Sequence, residues 1–284
     1  MLGIVIVAYK NPERTATYIN HQLSKLINPH VIVVVNNAST LQDCEELAKT
    51  CDGIACRPDD IIGKHSVYIV QSEENLGFAK GNNLGVRFLS RNYQCAHILF
   101  SNDDIIIENN TDLQPMIDIL ERDKSIGAIG PDIIGLDGCH QSPHRKIITP
   151  YRQIGWILFS RFRKSPKAIS QDIATTPKEG RCYWVSGAFF LMRFGHFSAV
   201  NGFDDETFLY SEEPILAERL KRLGKSMYFY PNLQVTHLEG GTTKSAFNNE
   251  RIRRMIVESN SIYYKKYLSI PSIVVSLYKY LALK

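Results

Sequence analysis

An α/β fold with a mixed, mostly parallel sheet flanked by helices is what this sequence predicts, on three observations. Short runs dominated by Val, Ile and Leu (Gly3–Ala8, Val31–Val35, Val67–Val70, His97–Phe100) recur through the first hundred residues. They lack polar alternation, which is the pattern of strands covered on both faces. Stretches of helical length separate them, as in βαβ units. The runs also end in polar residues, above all in Asn102-Asp-Asp104. Two adjacent carboxylates do not belong inside a central strand, because burying an unpaired charge costs several kcal/mol or more. The strand therefore ends at Phe100, and the acids sit at the carboxyl edge, where open α/β sheets bind ligands.

The elements follow in order. After the first strand, Asn11 caps a helix with Pro12 in its first turn, expected to run to about Lys25. Asn36-Asn37 stops the second strand, and Leu41–Thr50 reads as a helix. Glu73-Glu-Asn-Leu-Gly77 follows the third strand and leads into a helix over Phe78–Leu89. In the second half, Ile126–Gly130 is a candidate strand. Residues 135–177 read as a loop-rich, basic inserted segment. Tyr183–Met192 reads as a strand in which Gly187 permits close backbone approach. Gly202-Phe-Asp-Asp-Glu206 is a turn, Glu212–Leu223 a helix, and Met227–Tyr230 and Gln234–Thr236 two short strands. His237–Thr243 is a Gly-rich loop containing Gly240 and Gly241, and Phe247–Tyr267 has helical length.

Composition narrows the class. At 284 residues with 44% apolar and 22% charged residues, the chain can build a sizeable core without disulfides. Its six scattered cysteines form no CxxC pair and read as reduced thiols of a cytoplasmic protein. Met1–Ala8 reads as a strand and not as a signal peptide, and no apolar run of spanning length occurs. The charge of +4 is unevenly placed. From Lys244 to Lys284 eight basic residues face only Glu250 and Glu258, leaving the remainder at −2. A second stretch mixes Arg145, Lys146, Arg152, Arg161, Arg163, Lys164 and Lys167 with Tyr151, Trp156-Ile-Leu-Phe159 and Phe162, without an acid. Cations among large apolar side chains suit an anionic membrane surface better than nucleic acid. The competing reading is a solvated basic face beside a partly buried helix.

Eight segments in order carry a resemblance: Val5-Ile-Val-Ala-Tyr-Lys-Asn11, Val33-Val-Val-Asn-Asn-Ala-Ser-Thr40, Asn75-Leu-Gly-Phe-Ala-Lys-Gly-Asn-Asn-Leu-Gly85, Leu99-Phe-Ser-Asn-Asp-Asp104, Val185-Ser-Gly-Ala-Phe-Phe-Leu-Met192, Gly202-Phe-Asp-Asp205, Phe208-Leu-Tyr-Ser-Glu-Glu213 and His237-Leu-Glu-Gly240. Together the chain resembles the family-2 glycosyltransferases with the Rossmann-like, nucleotide-sugar-binding GT-A fold, in their rhamnosyltransferase-like, capsule or O-antigen branch. The resemblance implies a GT-A domain over residues 1–243, with a nucleotide-binding half (1–105) and an acceptor-binding half (106–243). A basic amphipathic helical region (244–284) follows.

The resemblance also implies roles. Asn102-Asp103-Asp104 stands at the family's DXD-like site. Asp104 would ligate Mn²⁺ or Mg²⁺ on the donor diphosphate, with Asn102 near the donor's ribose or sugar and Asp103 beside it. His237 stands where members supply a further metal ligand, a task neutral imidazole can perform. Ala8, Tyr9 and Asn36 lie where the base binds. The family usually has Asp at the Asn36 place, but Asn can also pair with a pyrimidine edge. Asn75, Gly77 and Asn82 match the segment that closes over the nucleotide.

Glu212-Glu213 matches an acidic pair, usually Glu-Asp, whose second member is the general base. The longer Glu213, followed by Pro214, leaves Glu212 as the other candidate. A carboxylate must accept the proton of an attacking sugar hydroxyl, and neighbouring acids raise one another's pKa. Both acids also suit a helix N-terminus.

The implied protein is an inverting, metal-dependent hexosyl- or deoxyhexosyltransferase. It would use a UDP- or dTDP-sugar donor and a glycan or lipid-linked oligosaccharide acceptor, at the inner face of the cell membrane. The alternative is a non-catalytic nucleotide-sugar or glycan-binding protein of the same fold. A nucleotidyltransferase would want a Gly-rich basic loop where Ala8-Tyr-Lys-Asn-Pro12 stands. A NAD-dependent oxidoreductase would want GxGxxG there.

Overall fold

A computed structural model describes residues 1–160, 173, 175–238 and 248–284. Its ten-stranded sheet runs in the order β3-β4-β2-β1-β5-β9-β7-β10-β6, with β8 paired to β10. The strands are β1 (Leu2–Tyr9), β2 (His30–Asn37), β3 (Ile54–Cys56), β4 (Val67–Ser72), β5 (His97–Ser101), β6 (Ile105–Ile106), β7 (Ile126–Gly135), β8 (Gly180–Cys182), β9 (Phe189–Arg193) and β10 (Ser226–His237). The β3-β4-β2-β1-β5 block is parallel. β9 is antiparallel to both β5 and β7, and β7 runs parallel to β10. The sheet is thus mixed and mostly parallel, as the uninterrupted apolar runs required. Ile4, Ile6 and Leu99 face one core, while Val5, Val33 and Phe100 face the other.

Helices cover both faces. Asn11 caps α1 (Pro12–Thr17) through its side chain, and the chain continues through a π-type turn and a 3₁₀ turn to Lys25. α2 (Leu41–Thr50) opens on a capping box between Thr40 and Asp43. α3 (Gly77–Asn92), α4 (Gln114–Arg122), α5 (Pro150–Ser160), α6 (Phe194–Ala199) and α7 (Glu212–Arg222) follow. Two C-terminal helices, α8 (Asn249–Ile262) and α9 (Ser272–Leu283), are joined by a π-type turn at Tyr263–Tyr267.

Several expectations are corrected. Asn36 and Asn37 are the last residues of β2 and do not lie beyond it. The loop-rich segment over 135–177 contains one helix among its described residues, α5. Tyr183–Met192 is not one strand: residues 183–188 leave the ladder, Trp184 forming only an isolated bridge with His144, and Phe189–Arg193 are the residues of β9. The two short strands after α7 are one, β10, with a register shift between Tyr230 and Gln234 around Pro231. Arg161, Phe162, Arg163, Lys164 and Lys167, and the loop with Gly240, Gly241 and Lys244, lie outside the described residues. All six cysteines are free thiols, four of them buried.

The C-terminal helices pack on α7. Tyr263, Tyr264, Tyr267, Val275 and Tyr278 form a third apolar cluster around Ile215 of α7. Buried Asp204, from the Gly202-Phe-Asp-Asp turn, accepts from Lys266 Nζ at 2.8 Å and from the Tyr267 hydroxyl.

One glycine shows how tightly α3 is fitted. Gly77 has φ +69°, and a Cβ there would lie 2.1 Å from the Phe208 carbonyl oxygen, which itself accepts from Phe78 N–H. Gly77→Ala therefore combines left-handed strain with a backbone clash, and should cost about 2–4 kcal/mol. Urea unfolding would measure it, and a loss below about 1 kcal/mol would show that the contact with Phe208 yields easily.

Candidate active site

The carboxyl ends of β1, β2, β4 and β5 form one edge, and the register places Ala8 of β1 opposite Asn36 of β2. Between this edge and α1 and α2 lies a cleft of about 500 Å³, lined among others by Lys10, Ala16, Asn36, Ser39 and Leu47. Asn36 is buried, its Nδ2 is 3.7 Å from Cys44 Sγ, and its carbonyl accepts from Ser39 Oγ. Ala8 is buried and Tyr9 half-buried beside Lys10, which has φ +50°.

At the end of β5 the two acids turn in different directions. Asp103 points back to α1, where Oδ1 meets Arg14 Nη2 at 2.7 Å and Oδ2 accepts from Thr15 Oγ1 at 2.7 Å. Burial nevertheless pushes its carboxyl up, against the opposing pull of Arg14 and Thr15. Both oxygens thus hold the first helix to the sheet edge.

Asp104 faces His237. β6 begins directly after Asp104 and pairs antiparallel with the end of β10, so that His237 lies opposite Ile105 and Leu238 N–H donates to the Asp104 carbonyl. Sheet register therefore brings together two residues far apart in sequence. Asp104 Oδ1 lies 3.1 Å from His237 Nε2, yet it is buried without a hydrogen bond. On the other side of the ring, Nδ1 lies 2.8 Å from Gln141 Oε1. A carbonyl oxygen only accepts, so Nδ1–H donates to Gln141, and Nε2 is the ring nitrogen that faces Asp104. Asn102 Nδ2 also approaches Nε2, at 3.5 Å.

A buried carboxylate oxygen without a hydrogen bond, facing an imidazole nitrogen, is what a divalent cation held between them would satisfy. The residues present therefore fit Mn²⁺ or Mg²⁺. Among the described residues no group of three or more His, Cys, Asp or Glu converges, so the remaining ligands would have to come from a bound diphosphate and water.

Glu212 and Glu213 open α7. The turn before them is strained, with Tyr210 at φ +74° and Ser211 at φ +65°. Ser259 Oγ of α8 donates to the Leu209 carbonyl at 2.7 Å, and Ser211 Oγ bonds Asn260 Oδ1 at 2.8 Å, so Ser211 does not cap α7. Glu213 Oε1 accepts from the Gly187 N–H at 2.9 Å, and a Cβ at Gly187 would come within 2.6 Å of that oxygen. The next residue, Ala188, accepts from Asn102 N–H at 2.9 Å. One loop thus fixes the acidic pair and the Asn102–Asp104 turn. Glu212 is 4% exposed, with Oε1 unpartnered. Burial and then the Glu213 charge push its carboxyl far above the ordinary carboxylate range; burial also raises Glu213.

Asn75 Oδ1 accepts from Gly77 N–H, and buried Asn82 donates to the Phe78 carbonyl. Both shape the start of α3. Other contributors carry no local signal in the sequence: Arg14 and Thr15 on Asp103, Gln141 on His237, Ser142 on Ser186 N–H, and Asn83, which brackets Phe203 and Asp205. Each acts on a partner remote in the chain.

A mixed, mostly parallel sheet with helices on both faces and acidic residues at its carboxyl edge is the GT-A architecture. The profile of the family described as "Glycosyltransferase like family 2" matches residues 2–257, and the chain belongs to that family. It is 29% identical over 181 residues to rhamnosyltransferase WbbL of Escherichia coli K12, covering 61% of this chain and 64% of that protein. It is 29% identical over 151 residues to the N-acetylglucosaminyl-diphospho-decaprenol L-rhamnosyltransferase of Mycobacterium tuberculosis, covering 50% and 49%. The chain thus spans about half to just under two thirds of these relatives. The mannosyltransferase PcManGT of Pyrobaculum calidifontis, solved with GDP-Man and Mn²⁺, superposes with a TM-score of 0.58 at 12% identity, covering 99% of this chain and 71% of that one.

The burial of Glu212 yields a pH-dependent prediction. A carboxyl raised by folding destabilises the folded state as pH climbs above its unfolded value, near 4.5, towards the folded pKa. Glu212→Gln should therefore match wild type near pH 4 and gain on it progressively to about 1–3 kcal/mol at pH 8. Urea unfolding across that range would show it. A difference constant with pH would mean that Glu212 is not a destabilised carboxylate.

Proposed function

We propose that the chain is an inverting glycosyltransferase that moves a hexosyl or deoxyhexosyl group from a UDP- or dTDP-sugar to a hydroxyl of a glycan acceptor, in bacterial surface polysaccharide synthesis. The supporting observation is the Gly187–Ala188 loop, which anchors Glu213 to the same edge as Asp104 and His237. Kinship with two rhamnosyltransferases, one named for a decaprenol-diphosphate-linked acceptor, supports a lipid-linked acceptor.

The cleft beside Asn36 takes the base, and Asn36 pairs with its edge. Ala8 and Tyr9 end β1 just before Lys10, which lines that cleft, while Asn75, Gly77 and Asn82 shape the start of α3. Asn102 lies beside the donor's ribose or sugar, and Asp103 positions the turn through Arg14. Asp104 and His237 hold Mn²⁺ or Mg²⁺, which when bound neutralises charge on the leaving diphosphate. Glu213 takes the proton of the acceptor hydroxyl. The acceptor's hydroxyl oxygen forms the new bond to the anomeric carbon while the bond to the diphosphate breaks on the opposite face. No covalent enzyme intermediate is required. The Gly187 N–H fixes the Glu213 rotamer, and the raised pKa of the pair brings the base nearer its working pH.

Glu213→Gln should lower transfer by about 10²–10⁴-fold while leaving nucleotide affinity within about twofold. Rates of transfer to glycan acceptor and calorimetric titration with UDP and dTDP would measure both. Near-normal turnover would remove Glu213 as the base; if Glu212→Gln alone abolished transfer, the role would pass to Glu212. Asp104→Asn should instead abolish the Mn²⁺-dependent part of nucleotide binding, about tenfold or more in affinity. Unchanged metal dependence would exclude Asp104 as a ligand.

A further inference from the structure

α5 and α9 pack against each other, with Ile154, Tyr278 and Ala282 among the residues at their shared cluster. Away from that contact both helices expose large apolar side chains. On α9, Ile273, Leu277 and Tyr280 follow one another at i, i+4 and i+7 and are 78%, 47% and 61% exposed. On α5, Trp156 and Phe159 lie one turn apart, and Phe159 is 71% exposed. Single exposed apolar residues need no explanation, but stripes on two adjoining helices do.

The charged residues of the two helices have one sign. Ser272, Ser276 and Lys279 form the neighbouring stripe of α9, and Lys284 continues the apolar one. Arg152 stands one turn before Trp156. Neither helix contains an acid. Beside α9 a cleft of about 540 Å³ is lined by Lys265, Lys279, Ser272 and Ser276, with Glu206 and Glu258 also at its wall.

We propose that the exposed sides of α5 and α9 dock this protein on an anionic lipid bilayer. The apolar stripes enter the acyl boundary, the Trp and Tyr rings lie at headgroup level, and Arg152, Lys279 and Lys284 meet lipid phosphates. No helix among the described residues is long and apolar enough to cross a membrane, so this is contact with one face of the bilayer. A second copy of the chain is the poorer occupant, because a self-complementary contact would bring like charges together across the axis.

The surface also reaches the catalytic pair. Tyr278, on the buried side of α9, accepts from Asn260 Nδ2 at 3.0 Å, and Asn260 holds Ser211, the residue before Glu212. Docking would thus brace the strained turn and present the site to a lipid-borne acceptor. That consequence rests on the transferase reading, whereas the docking itself does not.

The test is sedimentation of the full chain with vesicles of phosphatidylcholine, with and without about 30 mol% phosphatidylglycerol. Wild type should partition at least about tenfold more strongly to the anionic vesicles and lose that preference in about 0.5 M salt. I273E/L277E should bind them at least about tenfold more weakly with an unchanged thermal midpoint. K279Q/K284Q should lose mainly the preference for phosphatidylglycerol. The proposal fails if wild type does not bind, or if I273E/L277E binds equally. It also fails if the wild type forms a concentration-dependent dimer that I273E/L277E dissociates. UDP and dTDP titrations on the same preparations keep the readings apart: absent nucleotide binding with intact vesicle binding would overturn the transferase reading alone.

Discussion

Two neighbouring backbone groups, the Gly187 N–H and the Ala188 carbonyl, tie the start of α7 and the acidic turn to the sheet. One donates to the Glu213 carboxylate; the other accepts from Asn102, at the head of the acidic turn. Such bonds are available only because residues 183–188 lie outside the β9 ladder, leaving their N–H and C=O groups to be satisfied elsewhere. The absent side chain at Gly187 lets Glu213 approach. The Glu213 carboxylate and the turn that carries Asp104 are thereby held to one loop, which removes a degree of freedom from their relative placement.

The second organising relation is the register of β6 with β10. It is only a two-residue pairing, but it sets His237 against Asp104. Gln141 then fixes which ring nitrogen carries the proton. Metal-binding histidines commonly depend on such an outer partner for tautomer and orientation. Gln141 is itself followed by Ser142, whose hydroxyl accepts from Ser186 N–H. The segment that orients the imidazole is therefore fastened to the loop that holds Glu213, and the two halves of the site are connected through backbone on both sides.

What could be seen in the sequence was what is local. β1, β2 and β5 are apolar runs whose burial on both faces follows from their composition, and Asn11-Pro12 marks a helix start by side-chain chemistry acting within four residues. The strand-end position of Asp103 and Asp104 followed from the cost of burying charge. The split between them did not, because it depends on Arg14 and Thr15, 88 residues from Asp103 in the case of the Thr15 bond. Tyr183–Met192 has the composition of a strand throughout. Its first half leaves the ladder because Glu213 and Asn102 compete for its backbone. α5 was hidden for the opposite reason: its apolar residues are not segregated to a buried face, since part of them point outward. Pro231 broke the pattern of β10 without breaking the strand, because the ladder absorbs it as a register shift.

The site accumulates unfavourable features that a purely structural region would shed. Glu212 is buried with an unpartnered oxygen, Asp104 has another, and Tyr210 and Ser211 both occupy the left-handed region. Each such feature costs on the order of 1–3 kcal/mol, a large share of a typical domain's net stability. They persist only where surrounding structure over-determines them, and here that structure is the C-terminal pair of helices. Ser259 and Asn260 hold the strained turn, Tyr267 and Lys266 hold Asp204 behind it, and the tyrosine cluster seats α8 and α9 on Ile215 of α7. The basic tail is therefore a structural part of the catalytic side. Removing it would release the turn that presents Glu212 and Glu213 before it disturbed the parallel sheet, whose strands are covered by α1 to α4.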